Sequence, residues 1–445
     1  MRTCGVTGTS VAAAMLGLVI CCGCATTGRA PDRAALDTAI RGRIEHGIRV
    51  EGTAPLPPGA AVEDGLTSDE AVSIALWNSP SFQATLADLG IARAELVEAG
   101  MLRNPVFSFL FPVGPKQLEW TLQYPFEVFW QRPRRVAAAR LNAQQVAERL
   151  VWDALSLVAR TRAAHADALF AEQRLELTVE NAALVQRLSA ITEARLRGGD
   201  ISELEARAAR SDAARVQVLR QAAEHDRALA RVTLLATLGI DPPPAEMRLV
   251  GGPAISATAC GSDAARLEEA LASRPDVRAA ELAIEAAGQR ARWERSRVFT
   301  LIGILDGNGK GAEGPEVGPG VNLDLPIFAR NQGAISRADV EIERASRQYL
   351  AVRTQVIADV RSSAIRVQQA EQAIAAWRDE IVPSLETEQR QAQGAYEAGE
   401  IPLFTLLDVS RRLVDGRTRL LEAEADLTRA TIALEQGIGR SCRPH

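Results

Sequence analysis

The sequence predicts a mainly α-helical protein in which long antiparallel helical hairpins and short β-hairpins each occur twice. A pattern between about residues 69 and 241 returns about 200 residues later, between residues 266 and 439. The chain has 445 residues, of which 47% are hydrophobic but only 4% aromatic, a composition typical of long helices. The stretch from Arg134 to Leu196 also contains no proline or glycine, so nothing in it breaks a helix.

The duplication rests on four pairs of short motifs that keep their order and nearly keep their spacing. Solenoid units recur every 20 to 50 residues, so a period this long indicates a duplicated subdomain. We therefore predict a first repeat over 66–260 and a second over 261–445. The pairs are Asn78-Ser79-Pro80 with Ser273-Arg274-Pro275, Tyr124-Pro125-Phe126 with Leu325-Pro326-Ile327, Gly198-Gly199-Asp200-Ile201 with Ala398-Gly399-Glu400-Ile401, and Leu238-Gly239-Ile240 with Ile438-Gly439-Arg440.

The N-terminus predicts export and a lipid anchor. A short apolar run from Val11 to Ile20 is followed by Cys24 directly after a small residue, the arrangement of a lipoprotein signal. We assign 1–23 as a lipoprotein signal peptide and 24–65 as a lipidated N-terminal linker. The only attached group expected is a covalent lipid on Cys24, with no cofactor. An ordinary cleaved signal with an incidental cysteine is the alternative.

Two further cysteines, Cys260 and Cys442, lie far apart in sequence, and whether they pair stays open. No apolar run of 18 or more residues follows the signal, so no transmembrane helix is predicted.

In the first repeat the predicted order is a moderate helix, two short strands, a very long helix, a tight turn and a shorter returning helix. The moderate helix begins at the Thr67 cap and ends near Asn104. The strands are predicted over Val106 to Phe111 and Gln117 to Tyr124. The long helix, from about Arg134 to Leu196, can run about 90 Å at 1.5 Å per residue.

The second repeat predicts the same order, with strands over 298–305 and 320–325. The glycine-rich stretch 306–318 between them reads as a flexible hairpin loop, because its partial likeness to a calcium-binding loop lacks the glutamate at the twelfth position. The long helix runs over 334–397, and Pro383 should kink it.

The returning helix of the second repeat shows a seven-residue period with leucines and, three residues on, mostly small side chains. Such a period imposes a supercoil, and the small residues let helix backbones approach closely. A soluble antiparallel coiled-coil hairpin would show the same pattern. The positions are Leu406, Leu413, Leu420, Leu427 and Leu434 with Val409, Gly416, Ala423, Ala430 and Gly437.

Charge and composition argue against two functional classes. The net charge of −5 and the lack of a basic block exclude a nucleic-acid footprint, so no nucleic-acid partner is expected. The four histidines are scattered and no nucleophile or phosphate-binding motif occurs, so we predict neither an enzyme nor a metal site.

Two of these motifs resemble those of the TolC-like outer-membrane factors, the outer membrane efflux protein family, and in a general way its heavy-metal efflux branch. Residues 396–401, Tyr-Glu-Ala-Gly-Glu-Ile, followed by Leu406-Leu407-Asp408, are similar to the family's tip signature. Residues 273–277, Ser-Arg-Pro-Asp-Val, are similar to its helix entry.

The resemblance implies a homotrimer in the outer membrane of a Gram-negative bacterium. Each chain would contribute four strands to a shared twelve-stranded barrel in outer-membrane lipid and its helices to a periplasmic tunnel. The function implied is a passive exit duct that works with a periplasmic adaptor (membrane fusion protein) and an inner-membrane pump of the resistance-nodulation-division type. The alternative is a lipid-anchored periplasmic coiled-coil scaffold. Aromatic residues flanking the strands then form either an interfacial belt or part of a core: Trp120, Tyr124, Phe126, Phe129 and Trp130.

The resemblance also places adaptor docking at the two tight turns. The glycines of these turns are otherwise simple helix caps. Asp408 matches one of two acidic gate positions and Thr405 stands at the other; alternatively Asp408 pairs with Arg411 or Arg412 on the helix surface. The docking set is Gly198, Gly199, Asp200, Ile201, Leu204, Gly399, Glu400, Ile401, Leu403 and Leu406.

Overall fold

The computed structural model describes residues 31–49, 57, 65–111, 118–241, 247–251, 261–311 and 314–442. The predicted signal peptide, Cys24 and Cys260 lie outside these residues. Cys442 is buried and disulfide-bonded. The described residues divide into two compact units, one drawn from 86–149 and 276–352, the other from 34–85, 150–275 and 353–442. Each unit therefore combines parts of both predicted repeats.

The elements follow the predicted order in each repeat. They are α1 (Arg33–Ile44), α2 (Ser68–Asn78), α3 (Pro80–Gly100), β1 (Val106–Leu110), β2 (Glu119–Pro125), α4 (Val128–Gly198), α5 (Glu203–Leu238), α6 (Asp263–Ser273), α7 (Pro275–Ser296), β3 (Leu301–Gly311), β4 (Gly314–Leu323), α8 (Gln332–Ala375), a π-helical turn (Ala376–Ile381), α9 (Val382–Glu397) and α10 (Leu403–Ile438).

The moderate helix predicted in each repeat is in fact two helices. In the first repeat the break falls at Ser79, whose extended backbone precedes Pro80; in the second it falls at Arg274 before Pro275. Proline disfavours the helical region for the residue before it, so one helix ends and the next begins at its first position. The predicted single helix from Thr67 to Asn104 is therefore wrong.

The very long helix is confirmed as α4, which begins six residues earlier than predicted and tolerates Pro133 near its start. The irregularity expected at Pro383 takes the form of the π-helical turn directly before it, where the Val382 amide bonds to the Trp377 carbonyl. The region read as a linker contains α1, whose apolar residues Leu36 and Ile40 are buried. None of the described helices is both long and apolar enough to cross a bilayer.

The first unit contains a four-stranded antiparallel sheet in the order β1-β2-β3-β4, so β1 and β4 are its edge strands. Strands β3 and β4 run through residues 306–311 and 314–318, so the prediction of a flexible loop there is wrong. Glycine fits these strands because the Trp120 ring lies directly over Gly307, where an added Cβ would stand 2.2 Å from Trp120 Cε2. The aromatic ring replaces the packing that a side chain would supply.

The two faces of the sheet differ in polarity. Successive side chains on a strand point to opposite faces, and the pairing register aligns those faces across the sheet. The charged residues that take part in strand pairing all lie on one face of the sheet. On that face the Thr121 hydroxyl donates to Asp306 Oδ1 at 3.0 Å. The other face is apolar: Phe107, Phe109, Trp120, Leu122, Tyr124, Leu301, Gly303, Leu305, Gly307, Val317, Pro319, Val321 and Leu323.

The second unit is a bundle of long helices, and its packing confirms the predicted heptads. The leucines and the small residues of the seven-residue repeat are buried or half-buried along the whole of α10, from Leu406 to Leu434. In α5, the returning helix of the first repeat, Ala206, Ala209 and Val216 are also buried.

The helix-entry motif of the second repeat contains a buried cation in this unit. The Arg274 side chain is 1% exposed, and its Nη1 lies 3.3 Å from Asp359 Oδ2 and donates to the Gly437 carbonyl at 3.0 Å. Its guanidinium carbon lies 4.2 Å from the centre of the Trp152 ring. Arg274 therefore joins α4, α8 and α10 through one side chain, a role that the sequence alone did not reveal.

Candidate functional site at the paired helical turns

The first tight turn ends α4 in the second unit. Gly199 adopts φ +81°, in the left-handed region, and its amide donates to the Leu196 carbonyl at 3.1 Å. The Asp200 amide donates to the Arg195 carbonyl at 3.0 Å. These two bonds satisfy carbonyls that the end of the helix leaves without partners, and they form a Schellman motif.

The second turn, at the end of α9, repeats this geometry. Gly399 adopts φ +79° and donates to the Tyr396 carbonyl at 3.1 Å, and the Glu400 amide donates to the Ala395 carbonyl at 2.8 Å. An added Cβ at either turn glycine would meet no atom within 4 Å. The glycines are needed for the backbone conformation, while the space beside them is open.

The returning helices begin differently. Ser202 caps α5 in a capping box with Glu205, in which each side chain bonds to the other residue's backbone amide. Pro402 begins α10 with no side-chain cap. Side-chain hydrogen bonds thus hold the first turn in place, whereas the second turn depends more on the packing of its side chains.

That packing joins the two hairpins. One cluster of buried side chains takes members from α4, α5, α9 and α10, with Ile401 packed partly buried against it. Leu403 and Leu406, predicted for docking, are 8% and 4% exposed and belong to this cluster, so they support the turns from inside. The cluster is Leu188, Ala209, Tyr396, Leu403, Leu406 and Leu407.

Two apolar side chains stand outside the cluster at matching places. Leu204 is 77% exposed in the first turn of α5, and Phe404 is 64% exposed in the first turn of α10. Leu204 belongs to the predicted docking set, whereas Phe404 does not. Applying the repeat offset of about 200 residues to Leu204 would have found it. The other predicted docking residues lie on the surface or are half-buried: Gly198, Gly199, Asp200, Ile201, Gly399, Glu400 and Ile401.

The charged groups beyond the turns are paired. Asp408 Oδ2 lies 3.2 Å from Arg412 Nε, and Arg412 Nη1 lies 3.2 Å from Glu388 Oε2. Arg411 forms an ion pair with the nearly buried Asp212 of α5. Asp408 therefore has the partner that the surface-pair alternative predicts, and its role in a gate stays a prediction. Among the described residues, no group of three or more acidic, histidine or cysteine side chains is placed to hold a metal ion.

Comparison with known proteins shows which family this chain is similar to. The sequence profile described as "Outer membrane efflux protein" matches residues 267–440, most of the second repeat. Over 383 residues the chain is 23% identical to the cobalt-zinc-cadmium resistance protein CzcC of Cupriavidus metallidurans, covering 84% of this chain and 90% of that protein. The second repeat therefore matches the outer membrane efflux protein family. The chain is also 25% identical to the pyoverdine export outer membrane protein OpmQ of Pseudomonas putida, with 83% and 85% covered.

The fold agrees with this similarity. The crystal structure of the outer membrane protein VceC of Vibrio cholerae superposes with a TM-score of 0.70 at 18% identity, covering 84% of this chain and 97% of that one. The prediction of an outer-membrane efflux channel, and not an enzyme, is confirmed by the family match and the related efflux proteins.

Proposed function

We propose that three copies of this chain form a passive exit duct that receives solutes from a periplasmic adaptor and an inner-membrane pump of the resistance-nodulation-division type. The chain performs no chemistry in this proposal. The pump supplies the energy, and the duct opens when the adaptor binds at its periplasmic turns.

The observation that carries the proposal is the apolar face of the sheet. Its side chains are exposed within the chain: Phe107 is 60%, Val317 59% and Val321 69% accessible. An apolar patch of this extent is unfavourable in water but suits the hydrocarbon of a bilayer. The opposite face, with its carboxylates, amides and hydroxyl, suits a water-filled lumen.

The edge strands support the trimer. Within one chain, β1 and β4 each have a neighbour on one side, which leaves a row of backbone groups without strand partners. Backbone groups in lipid must be satisfied inside the protein, and only closure of the sheet achieves this. Pairing β4 of one copy with β1 of the next closes a twelve-stranded barrel in a trimer, whereas a periplasmic scaffold has no use for these edges.

We propose further that Cys24 carries the covalent lipid and holds the N-terminus at the membrane. The exported solute is not assigned, because the related proteins are named for such different substrates as metal cations and pyoverdine. Both kinds of relative support a duct that accepts what its pump delivers.

The test exploits Leu204 and Phe404, the exposed side chains beside the turns. Leu204→Asp combined with Phe404→Asp should abolish efflux, because an adaptor's apolar helices cannot bury two carboxylates. The fold should persist, since both positions are exposed. Efflux is measured as the survival of cells that contain the matching pump and adaptor.

A matched control is Val218→Asp, also on the exposed surface of α5 (64% accessible) but four helical turns from the tip. Efflux by cells with the control variant should equal efflux by cells with the unchanged protein. Unchanged efflux in the double variant would overturn docking at the turns.

A further inference from the structure

A group of arginines lies in the first unit where its helices meet the sheet. On α4, Arg132 Nε donates to the Gly100 carbonyl at 2.7 Å, and Arg135 donates to the Ala99 and Met101 carbonyls at 2.9 and 2.8 Å. These bonds cap the end of α3. Arg103 follows in the link to β1, and Arg134 is exposed beside them.

Positive charge exceeds negative charge at this place. Arg103 Nη1 lies 3.8 Å from Glu127 Oε1, and the Glu127 side chain is 5% exposed. Burial, together with the guanidiniums of Arg103 and Arg132, lowers the pKa of Arg135, while Glu98 opposes that shift. Arg103, Arg132 and Arg135 thus share two carboxylates, and Arg134 adds an exposed positive charge on the same turn of α4. An added anion would stabilise this excess of positive charge.

The arginines adjoin an aromatic cluster that continues the apolar sheet face. The rings of Tyr124, Phe126 and Phe129 are 5.9 to 6.4 Å apart. The Phe126 ring covers Gly303 on the apolar face, where an added Cβ would stand 2.1 Å from Phe126 Cε2. Phe129 is 59% exposed and lies three residues before Arg132 on the same face of α4.

We propose that Arg103, Arg132, Arg134 and Arg135 form a binding site for the phosphate of an anionic phospholipid in the periplasmic leaflet. The aromatic cluster would contact the acyl chains, and the arginines just below it would meet the headgroup. A soluble phosphate would need only the charge, whereas the exposed rings favour a ligand with an apolar part. The inference rests on the proposed function, because it requires the apolar sheet face to lie in lipid.

The second repeat provides a contrast at the corresponding junction between α7 and β3. There Arg297 Nη1 lies 3.0 Å from Glu294 Oε2, and its guanidinium carbon lies 5.1 Å from the centre of the Trp293 ring. Asn331 also donates to Glu294 Oε2 at 2.8 Å. This arginine has its counter-charge within the chain, so it serves as the matched control.

The test is native mass spectrometry of the purified full-length protein with added phosphatidylglycerol or phosphatidylcholine. The unchanged protein should retain phosphatidylglycerol preferentially. Arg103→Gln with Arg134→Gln, which leaves both α3-capping arginines in place, should weaken that binding about 25-fold, at about fivefold per arginine. Arg297→Gln should change it less than about twofold, since its charge is already neutralised.

Two results would overturn the inference: equal phosphatidylglycerol binding by the double variant and the unchanged protein, or displacement of the lipid by equimolar inorganic phosphate.

Planar-bilayer conductance of the same double variant separates the proposal of a lipid site from the proposal of an exit duct. Lost lipid preference with normal conductance supports the lipid site. If conductance is normal but the lipid preference persists in the double variant, the site fails while the duct stands. If the unchanged protein itself conducts no current, the duct fails.

Discussion

Replacing Arg274 with alanine is expected to lower the free energy of unfolding by about 2–4 kcal/mol, because it empties the space of a fully buried side chain and takes the counter-ion from the partly buried Asp359. The change takes a donor from the Gly437 carbonyl, a counter-ion from Asp359 and the covering group from the Trp152 ring. These three partners belong to different helices, so the loss should loosen the packing of the second unit as a whole.

The measurement is the thermal unfolding midpoint followed by helical circular dichroism. Arg278→Ala is the control, because that side chain is half-exposed and its ion pairs, with Glu281 at 2.9 Å and Glu285 at 3.9 Å, lie on the surface of its own helix. A surface pair of this kind contributes about 0–1 kcal/mol. Equal midpoints for the two variants would mean that Arg274 does not stabilise the bundle.

Replacing Gly399 with proline is expected to abolish efflux. Proline fixes φ near −65° and has no amide hydrogen, so it cannot adopt the observed φ of +79° or donate to the Tyr396 carbonyl. The turn must rearrange, and the exposed Phe404 beside it moves with it. Gly199→Pro should act in the same way on the first turn. Trimers should still assemble, because the change leaves the strands intact.

Gly399→Ala is the control for this second prediction. Alanine pays about 1–2 kcal/mol for the left-handed conformation but meets no atom within 4 Å, so the turn should survive and efflux should continue. Normal efflux in both proline variants, compared with the alanine variant, would mean that these glycines only end their helices and have no role in efflux.

Local signals made most of the elements predictable. The heptads of α10 and the uninterrupted α4 follow from side-chain periodicity and from the absence of breakers, both of which are properties of the sequence alone. The breaks before Pro80 and Pro275 were also within reach, since the residue before a proline avoids the helical region.

Strands β3 and β4 show where local signals fail. Their glycines predict a loop, but Gly303 and Gly307 are covered by the rings of Phe126 and Trp120, which come from a distant part of the chain. Tertiary contacts of this kind override propensity. The same holds for Leu403 and Leu406, whose burial depends on packing between the two hairpins.

The central claim is that the apolar face of the sheet lies in lipid and the opposite face in water. Single cysteines along β2 test it directly, each labelled in outer-membrane vesicles with a water-soluble maleimide and normalised to labelling after denaturation. Cysteines at Thr121 and Gln123 should react, whereas cysteines at Trp120 and Leu122 should stay protected. Equal labelling at all four positions would place the sheet in water and contradict the duct.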